Sequence, residues 1–239
     1  IEEPHVAQEL RAATMATSHD LNELFDAREV LVISDREILP GARHVIREPV
    51  ADMTEYNNVM LKGVTEHITT DHTLFVQWDG MAHDKNQWTD DFLTYDYIGA
   101  PWPWEAEGRN IGNGGFSLRS KKFLQAPSKY GIVRHAKSNA ELNNEDIQLC
   151  CFMRPALEKV GMKFAPESES KLFSFEHLHP EVHKDIDLKQ IFGHHSRFRR
   201  LLADDIMEWK LTPEEQASIL CEDKVYELFR DYQYKIWHC

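Results

Sequence analysis

The sequence predicts an α/β domain in which helices flank a mixed, mainly parallel sheet. Two apolar runs rich in β-branched residues, at 29–34 and 72–76, have the length of buried strands. Between them, Asp52 opens a capping box, and the apolar residues at helical spacing that follow predict one helix with Met53, Tyr56, Met60, Val64 and Ile68 on one face. Alternating strand and helix patterns are typical of parallel sheets, whose ligands bind beyond the carboxyl ends of the strands. We therefore expect Asp35 and Asp79, which follow the two strands, to lie on one rim.

The patterns after residue 90 predict shorter elements. Segment 95–98 reads as a short strand, whereas Gly or Pro fills three of the six positions at 99–104, which predicts irregular structure. Segment 116–119 alternates apolar and polar residues, as a half-buried strand does. Asn144 is placed to begin a helix, and Pro155 is expected to kink or restart it.

The length of 239 residues fits one large domain with a tail. We expect the α/β domain to span residues 1–195 and a helical subdomain or lid to span 196–239. A chain that begins with Ile1 rather than Met is consistent with a fragment. In that interpretation the first strand is missing and a neighbouring domain lies in a longer protein.

The charge and the cysteine content exclude several classes of partner. With 27 basic and 40 acidic residues the formal charge is −13, so there is no excess of cations to bind nucleic acid. No apolar run approaches the ~18 residues that a membrane span requires. The four cysteines include no C-x-x-C pair, which favours free thiols in a reducing compartment. The expected location is cytoplasmic.

The first candidate site residues lie at a strand end and in a glycine pair. Asp79 follows a buried strand and precedes Gly80, so its carboxylate is placed to hold a metal ion or ribose hydroxyls. A turn-capping role would give the same pattern. Asn113, Gly114 and Gly115 precede a strand, and adjacent glycines allow backbone amides to approach a ligand closely. An ordinary turn is the alternative.

The next candidates are two carboxylates and a tryptophan. Glu145 and Asp146 follow the predicted helix start, where the helix dipole stabilises negative charge in any protein. The same position suits a general base, which must be ionised beside the hydroxyl that it deprotonates. Trp102 lies in the Pro-rich segment, where an aromatic face could line a sugar or nucleobase pocket or pack in the core.

Two histidines complete the candidate set. His194 and His195 follow Gly193, and a Gly-His loop is able to deliver an imidazole to a metal–phosphate group. A pair of solvated histidines is the alternative interpretation.

Six sequence strings occur together in an order that resembles a known family. They are FVQWDG (75–80), WTDDFLTYDYIGAPW (88–102), GNGGFSLRS (112–120), NED (144–146), FAPE (164–167) and FSFE (173–176). Together they resemble a family of bacterial and viral glycosyltransferase-like domains, catalogued mainly as a domain of unknown function. The resemblance covers about residues 1–195, and it implies a GT-A-like, Rossmann-like fold.

Within that fold, the motif order is similar to that of the β-1,4-galactosyltransferases. By this resemblance Asp79 takes the place of an Asp-x-Asp motif, and Gly114 and Gly115 line the donor sugar. Glu145 and Asp146 bind the acceptor, with one of them the base, and His194 or His195 is the late metal-binding residue. The resemblance implies Mn²⁺ or Mg²⁺, although Gln77 replaces the first carboxylate of the usual motif. A cation from Arg109 or Arg119 in place of the metal ion is the alternative for stabilising the leaving diphosphate. Asp35 is expected near the base or the ribose.

These observations predict an inverting glycosyltransferase that moves a sugar from a nucleotide-sugar donor to a hydroxyl of a glycan or other acceptor. A catalytically inactive nucleotide- or sugar-binding module is the alternative, supported by the incomplete Asp-x-Asp. A metal-dependent phosphoester hydrolase is a third hypothesis, which would require two metals about 3.5–4 Å apart.

Overall fold

We analysed a computed structural model, which describes residues 29–37, 39–77, 80–82, 85–103, 105–132, 144–176, 180–183, 186 and 190–195. The expected helical subdomain at 196–239 lies outside these residues, as does Asp79. In the described part of the chain, no helix is both long and apolar enough to cross a bilayer.

The structure is a mixed α/β fold of short elements. The strands are β1 (Leu31–Ser34), β2 (Arg43–Ile46), β3 (His72–Val76), β4 (Gly80–Ala82), β5 (Tyr97–Ile98), β6 (Ala100–Pro101), β7 (Ile111–Gly112), β8 (Phe116–Ser120), β9 (Ser174–Phe175) and β10 (Gly193–His195). The α-helices are α1 (Met53–Asn58), α2 (Lys121–Lys129), α3 (Glu145–Ile147), α4 (Arg154–Lys159), α5 (Glu167–Phe173) and α6 (Pro180–His183). Two π-helical segments (Val59–Gly63 and Gln148–Phe152) and three 3₁₀ segments (Val64–His67, Lys85–Gln87 and Asp90–Thr94) complete them.

The strands form several small sheets that are mostly antiparallel. Strand β8 lies between β3 and β5 and is antiparallel to both. The β4–β10 and β6–β7 pairs are also antiparallel, whereas β1–β2 and β9–β10 are parallel. The expectation of one mainly parallel, Rossmann-like sheet was therefore wrong. Between β3 and β8 the described chain contains only short strands and 3₁₀ turns, and a parallel return requires a longer crossover, usually helical.

Local signals placed several elements correctly. Asp52 caps α1, and its Oδ1 accepts the Glu55 N–H at 2.9 Å. Asn144 occupies the N-cap position of α3, although its side chain makes no capping hydrogen bond. Pro155 lies at the start of α4, so it restarts the helix rather than kinking it.

Segment 99–104 was predicted to be irregular, yet it contains β6. The Trp102 N–H donates to the Asn110 carbonyl at 2.7 Å, so the adjacent position, Pro101, has its nitrogen directed away from the partner strand. A proline at such a position removes no ladder hydrogen bond, which explains how this strand tolerates it.

Strand β8 is buried along its whole length rather than on one face. Phe116 and Leu118 pack into an aromatic cluster that includes Phe92, Phe173 and Phe192. The polar residues of the opposite face are covered as well, and Arg119 has no exposed surface. This second buried face carries the candidate site.

Candidate functional site

The loop between β7 and β8 is held in one conformation by its own hydrogen bonds. Asn113 has a φ of +79°, in the left-handed region that asparagine tolerates better than most residues. Its Oδ1 accepts the N–H groups of Gly115 at 3.0 Å and Phe116 at 3.3 Å. The Tyr97 hydroxyl donates to the Asn113 carbonyl at 3.1 Å. The loop therefore presents Gly114 and Gly115 at fixed positions.

The start of α3 meets this loop directly. The Gly114 N–H donates to Oδ2 of Asp146 at 2.8 Å, across 32 positions of sequence. The Ile147 N–H donates to the other carboxylate oxygen, Oδ1, at 2.8 Å. Asp146 is half-buried, and each carboxylate oxygen has a second lone pair that these bonds leave open. Two of the sequence-predicted site segments thus converge.

Glu145 is buried and is held by Arg119. Arg119 Nη2 lies 2.8 Å from Glu145 Oε1, and the two side chains are 0% and 2% exposed. Burial raises the pKa of the Glu145 carboxyl, and the ion pair with Arg119 opposes that shift. Burial by itself lowers the pKa of Arg119, but Glu145 and Tyr97 outweigh it, so the net shift is upward. Arginine keeps its proton, so Arg119 stays charged, and its 2.8 Å contact favours the ionised form of Glu145 against the cost of desolvation.

The Arg119 guanidinium also supports the loop. Its Nη2 donates to the Gly114 carbonyl at 3.4 Å, and its Nε donates to Ser117 Oγ at 3.0 Å. Its carbon lies 4.5 Å from the centre of the Phe75 ring and 5.4 Å from that of Tyr97, as cation–π contacts require. Arg119 therefore connects the Glu145 carboxylate, the glycine loop and the aromatic core.

The two glycines are required by side chains of the protein itself. A Cβ at Gly114 would overlap Oε1 of Glu145, and a Cβ at Gly115 would overlap the imidazole of His195. From the sequence, we expected these glycines to allow a ligand to approach the backbone closely. In the structure, the direction of each missing side chain is instead occupied by another candidate site residue.

The end of β3 is joined to the same loop. The Gln77 N–H donates to the Gly115 carbonyl at 2.8 Å, and the Gly80 N–H donates to the Gln77 carbonyl at 2.9 Å. The Gln77 side-chain amide donates to the hydroxyl of Tyr56. Asp79 lies between these residues in sequence but outside the described residues, so the structure brings together its flanking positions only.

The two histidines of β10 have different surroundings. Successive side chains of a strand point to opposite faces. His194 has no exposed surface and stacks on Phe175, with ring centres 5.4 Å apart and planes 18° apart. His195 is half-buried, pairs in register with Gly80 and lies against Gly115. Of the two, His195 is the one that reaches the glycine loop.

The metal site expected from the sequence includes Asp79, which lies outside the described residues. Among residues with a described position, no three His, Cys, Asp or Glu side chains lie close enough together to hold a metal ion. In this part of the chain, His194 stacks on Phe175 and His195 lies against Gly115. The expected Mn²⁺ or Mg²⁺ therefore stays a prediction, and no step below is routed through one.

Trp102 and Asp35 lie apart from these contacts. Trp102 is 4% exposed, its ring covers Gly112, and its Nε1–H donates to Glu176 at 2.6 Å, so it is packed against protein. Asp35 is exposed at the end of β1, and its carboxylate lies 3.4 Å from Arg36. Strand β1 belongs to a separate two-stranded sheet, so Asp35 does not follow a strand of the sheet that contains β3, and the position of Asp79 lies outside the described residues.

Three residues that contact the glycine loop or its neighbours were not among the sequence-predicted site residues. Tyr56 was read as part of the apolar face of a helix, and Gln77 as a missing carboxylate. Arg119 was considered only as a cation for a leaving diphosphate. Arg119 occupies a polar position of the alternating pattern at 116–119, which predicts exposure, so no local signal indicated that it is buried with an anionic partner.

The comparisons with known proteins identify a family. Residues 42–195, well over half of the chain, match the family described as "Protein of unknown function (DUF5672)". The chain belongs to that family. No curated protein matches the sequence closely enough to be a relative.

Proposed function

We propose that this member of the DUF5672 family is a glycosyltransferase, which transfers a sugar from a nucleotide-sugar donor to an acceptor hydroxyl with inversion. The observation that carries the proposal is the hydrogen bond from the Gly114 N–H to Asp146 at 2.8 Å. It joins the two segments that the resemblance assigns to the donor sugar and to the acceptor. The contact of Gln77 with Gly115 brings the end of β3 to the same point.

Asp146 is the better candidate for the base. Glu145 is 2% exposed and committed to Arg119, whereas Asp146 is half-buried and pairs with no basic side chain in the described part of the chain. In the proposed step the acceptor hydroxyl gives its proton to an Asp146 oxygen. Its oxygen forms a bond to the anomeric carbon, and the bond from that carbon to the diphosphate oxygen breaks. The electron pair leaves with the diphosphate.

The other proposed contacts are with the donor. Gly114 and Gly115 would border the donor sugar, Asn113 would hold their loop in position from beneath, and His195 would approach the sugar from β10. Stabilising the charge that develops on the diphosphate is usually the largest energetic contribution in such reactions. Asp79 remains a proposed donor-binding residue, as do Trp102 and Asp35.

The first test is a thermal-shift panel of UDP-, GDP-, CMP- and dTDP-sugars, each with and without Mn²⁺. At one hundred times Kd a true ligand adds about 2.7 kcal/mol to stability. That corresponds to a rise of roughly 5–11 °C in Tm for a chain of this size. If no donor raises Tm and none is hydrolysed or transferred, the proposal is wrong.

Asp146→Asn separates catalysis from binding. The amide cannot take the proton, so transfer should fall at least ~100-fold. Its nitrogen also cannot accept one of the two backbone N–H bonds that the carboxylate accepts, so donor affinity should fall by no more than about 10-fold. Glu158→Gln is the matched control, since Glu158 is a half-exposed carboxylate of α4. Equal loss of donor binding and transfer in Asp146→Asn would count against the base role.

A catalytically inactive sugar- or nucleotide-binding module is the second candidate. It is favoured by Gln77, whose amide replaces the first carboxylate of an Asp-x-Asp and is engaged with Tyr56. Saturable donor binding without hydrolysis or transfer to any acceptor would support this candidate over the transferase.

A further inference from the structure

We propose that the Tyr56 hydroxyl is a further binding group of the proposed site, which donates a hydrogen bond to a neutral sugar hydroxyl beside Asp146. This inference rests on the proposed function and names the part of the substrate that meets α1. Tyr56 was not among the sequence-predicted site residues, and it reaches the cluster from a different element than the glycines and carboxylates.

The position of the phenol is fixed by two consecutive hydrogen bonds. The Gln77 side-chain amide donates to the Tyr56 hydroxyl oxygen, and the Gln77 backbone N–H donates to the Gly115 carbonyl at 2.8 Å. The helix that carries Tyr56 is anchored at its start by Asp52, which accepts from Glu55. The phenol is therefore connected to the glycine loop through Gln77, by one side-chain and one backbone hydrogen bond.

The phenol proton is available to a ligand. The oxygen accepts from Gln77, and within the described ranges the Tyr56 O–H donates to no protein acceptor. Burial raises the pKa of the phenol, nearby Glu145 raises it further, and Arg119 opposes that shift. The group thus remains a protonated donor over the working range of pH.

Exposure separates the groups that could meet a ligand from those that could not. Asn113, Arg119 and Glu145 are at most 2% exposed, whereas Tyr56 and Asp146 are half-buried. Tyr56 and Asp146 therefore retain accessible surface, while the buried three form the support beneath them. A hydroxyl that gives a proton to Asp146 and a neighbouring hydroxyl that accepts from Tyr56 would use this surface.

The local charge indicates a neutral partner rather than a phosphate. The charge of Glu145 is balanced by Arg119. Asp146 has no basic partner among the residues whose positions are described, so this group carries a net negative charge. A phosphate oxygen next to Asp146 would be repelled, whereas a sugar hydroxyl would accept from the phenol without that penalty. The diphosphate of a donor must then bind away from Tyr56.

The test compares Tyr56→Phe with Tyr130→Phe in the full chain. Tyr130, which is 44% exposed at the end of α2, is the matched control. Calorimetric titrations use methyl glycosides of glucose, galactose, mannose and N-acetylglucosamine, with inorganic pyrophosphate as the anionic probe. We expect Tyr56→Phe to weaken glycoside binding about 3- to 10-fold, the net effect of one hydrogen bond, and to leave pyrophosphate affinity unchanged. Loss of the acceptor for the Gln77 amide should lower Tm by only roughly 2–4 °C.

The outcomes separate this inference from the proposed function. Unchanged glycoside affinity in Tyr56→Phe, or an equal loss in Tyr130→Phe, overturns the inference and leaves the transferase proposal standing. Loss of pyrophosphate affinity alone overturns the assignment to a neutral hydroxyl, as does a wild type that binds no glycoside. Glycoside binding that depends on Tyr56, in a protein that neither binds nor turns over any nucleotide sugar, supports the inference and refutes the transferase.

Discussion

Glu145→Gln would remove one negative charge from a buried ion pair with little change in shape. Arg119, which is 0% exposed, would be left without its counter-ion 2.8 Å away. Breaking such a pair by removing one partner typically costs about 3–5 kcal/mol. For a chain of this size the corresponding fall in Tm is roughly 6–20 °C.

The chain contains a matched control for this substitution. Arg154 and Glu158 are also 2.8 Å apart, but the Glu158 side chain is 46% exposed and four positions along the same helix. Arg154 is only 9% exposed, but the Glu158 carboxylate reaches water, and helix pairs at this spacing contribute about 0.3–0.5 kcal/mol. Glu158→Gln should therefore change stability much less than Glu145→Gln, although both remove one charge at the same distance from an arginine.

The measurement is denaturant-induced unfolding at neutral pH for the wild type, both single variants and the double variant Arg119→Met with Glu145→Gln. The double variant removes both charges, so it should recover most of the stability lost in Glu145→Gln. If Glu145→Gln is no more destabilising than Glu158→Gln, the guanidinium has another anion or solvent, and the reasoning about a sealed ion pair is refuted.

Two further predictions concern glycines and thiols. Gly114→Ala should destabilise the fold by about 1–3 kcal/mol, because its Cβ would overlap the fixed Glu145 carboxylate. Gly63→Ala should stabilise by about 0.5–1 kcal/mol, since its Cβ would meet only Val59 at 4.0 Å, and equal unfolding midpoints for the two variants would contradict this. Burial raises the pKa of the Cys151 thiol to about 11. Its thiolate fraction at pH 8 is then roughly 0.1%, so alkylation followed by peptide mass spectrometry should be at least ~100-fold slower in native than in denatured protein. Comparable rates would show that the thiol is not buried.

Local sequence patterns were sufficient where the structure is decided by neighbours in the chain. Asp52 caps a helix because its side chain reaches an N–H three positions away, and that contact exists without any tertiary partner. Strand 72–76 was predicted with its observed bounds from composition alone. Segment 59–63, by contrast, was expected to continue an α-helix and is π-helical, which no local pattern indicated.

Whether neighbouring strands run parallel or antiparallel could not be predicted from local sequence patterns. The strand at 116–120 has the same local sequence whether it runs parallel or antiparallel to 72–76. The choice depends on how the intervening chain returns, and here it does so without a crossover helix in the described residues. The mainly parallel sheet was expected because strands that alternate with helices along the chain usually form parallel sheets. The described strands of this chain do not follow that rule.

At the candidate site, too, the sequence indicated which residues matter, and only the fold determined the role of each. Gly114 and Gly115 were selected correctly, yet the reason is that Glu145 and His195 occupy the space of their missing side chains. The adjacent residues Glu145 and Asp146 looked equivalent in the sequence. Only the fold distinguishes them, by burying the first against Arg119 and leaving the second partly accessible at the glycine loop.

The sequence by itself determined the local elements, the acidic charge of −13 and the segments at which polar groups concentrate. Each of these follows from composition or from contacts a few residues apart. The tertiary structure decided the sheet directions, the ion pair beneath the glycines, the convergence of Gly114 with Asp146 and the arrival of Tyr56 by way of Gln77. Those features depend on pairings between distant segments, whose energies arise from burial and cannot be assigned until the partners are known.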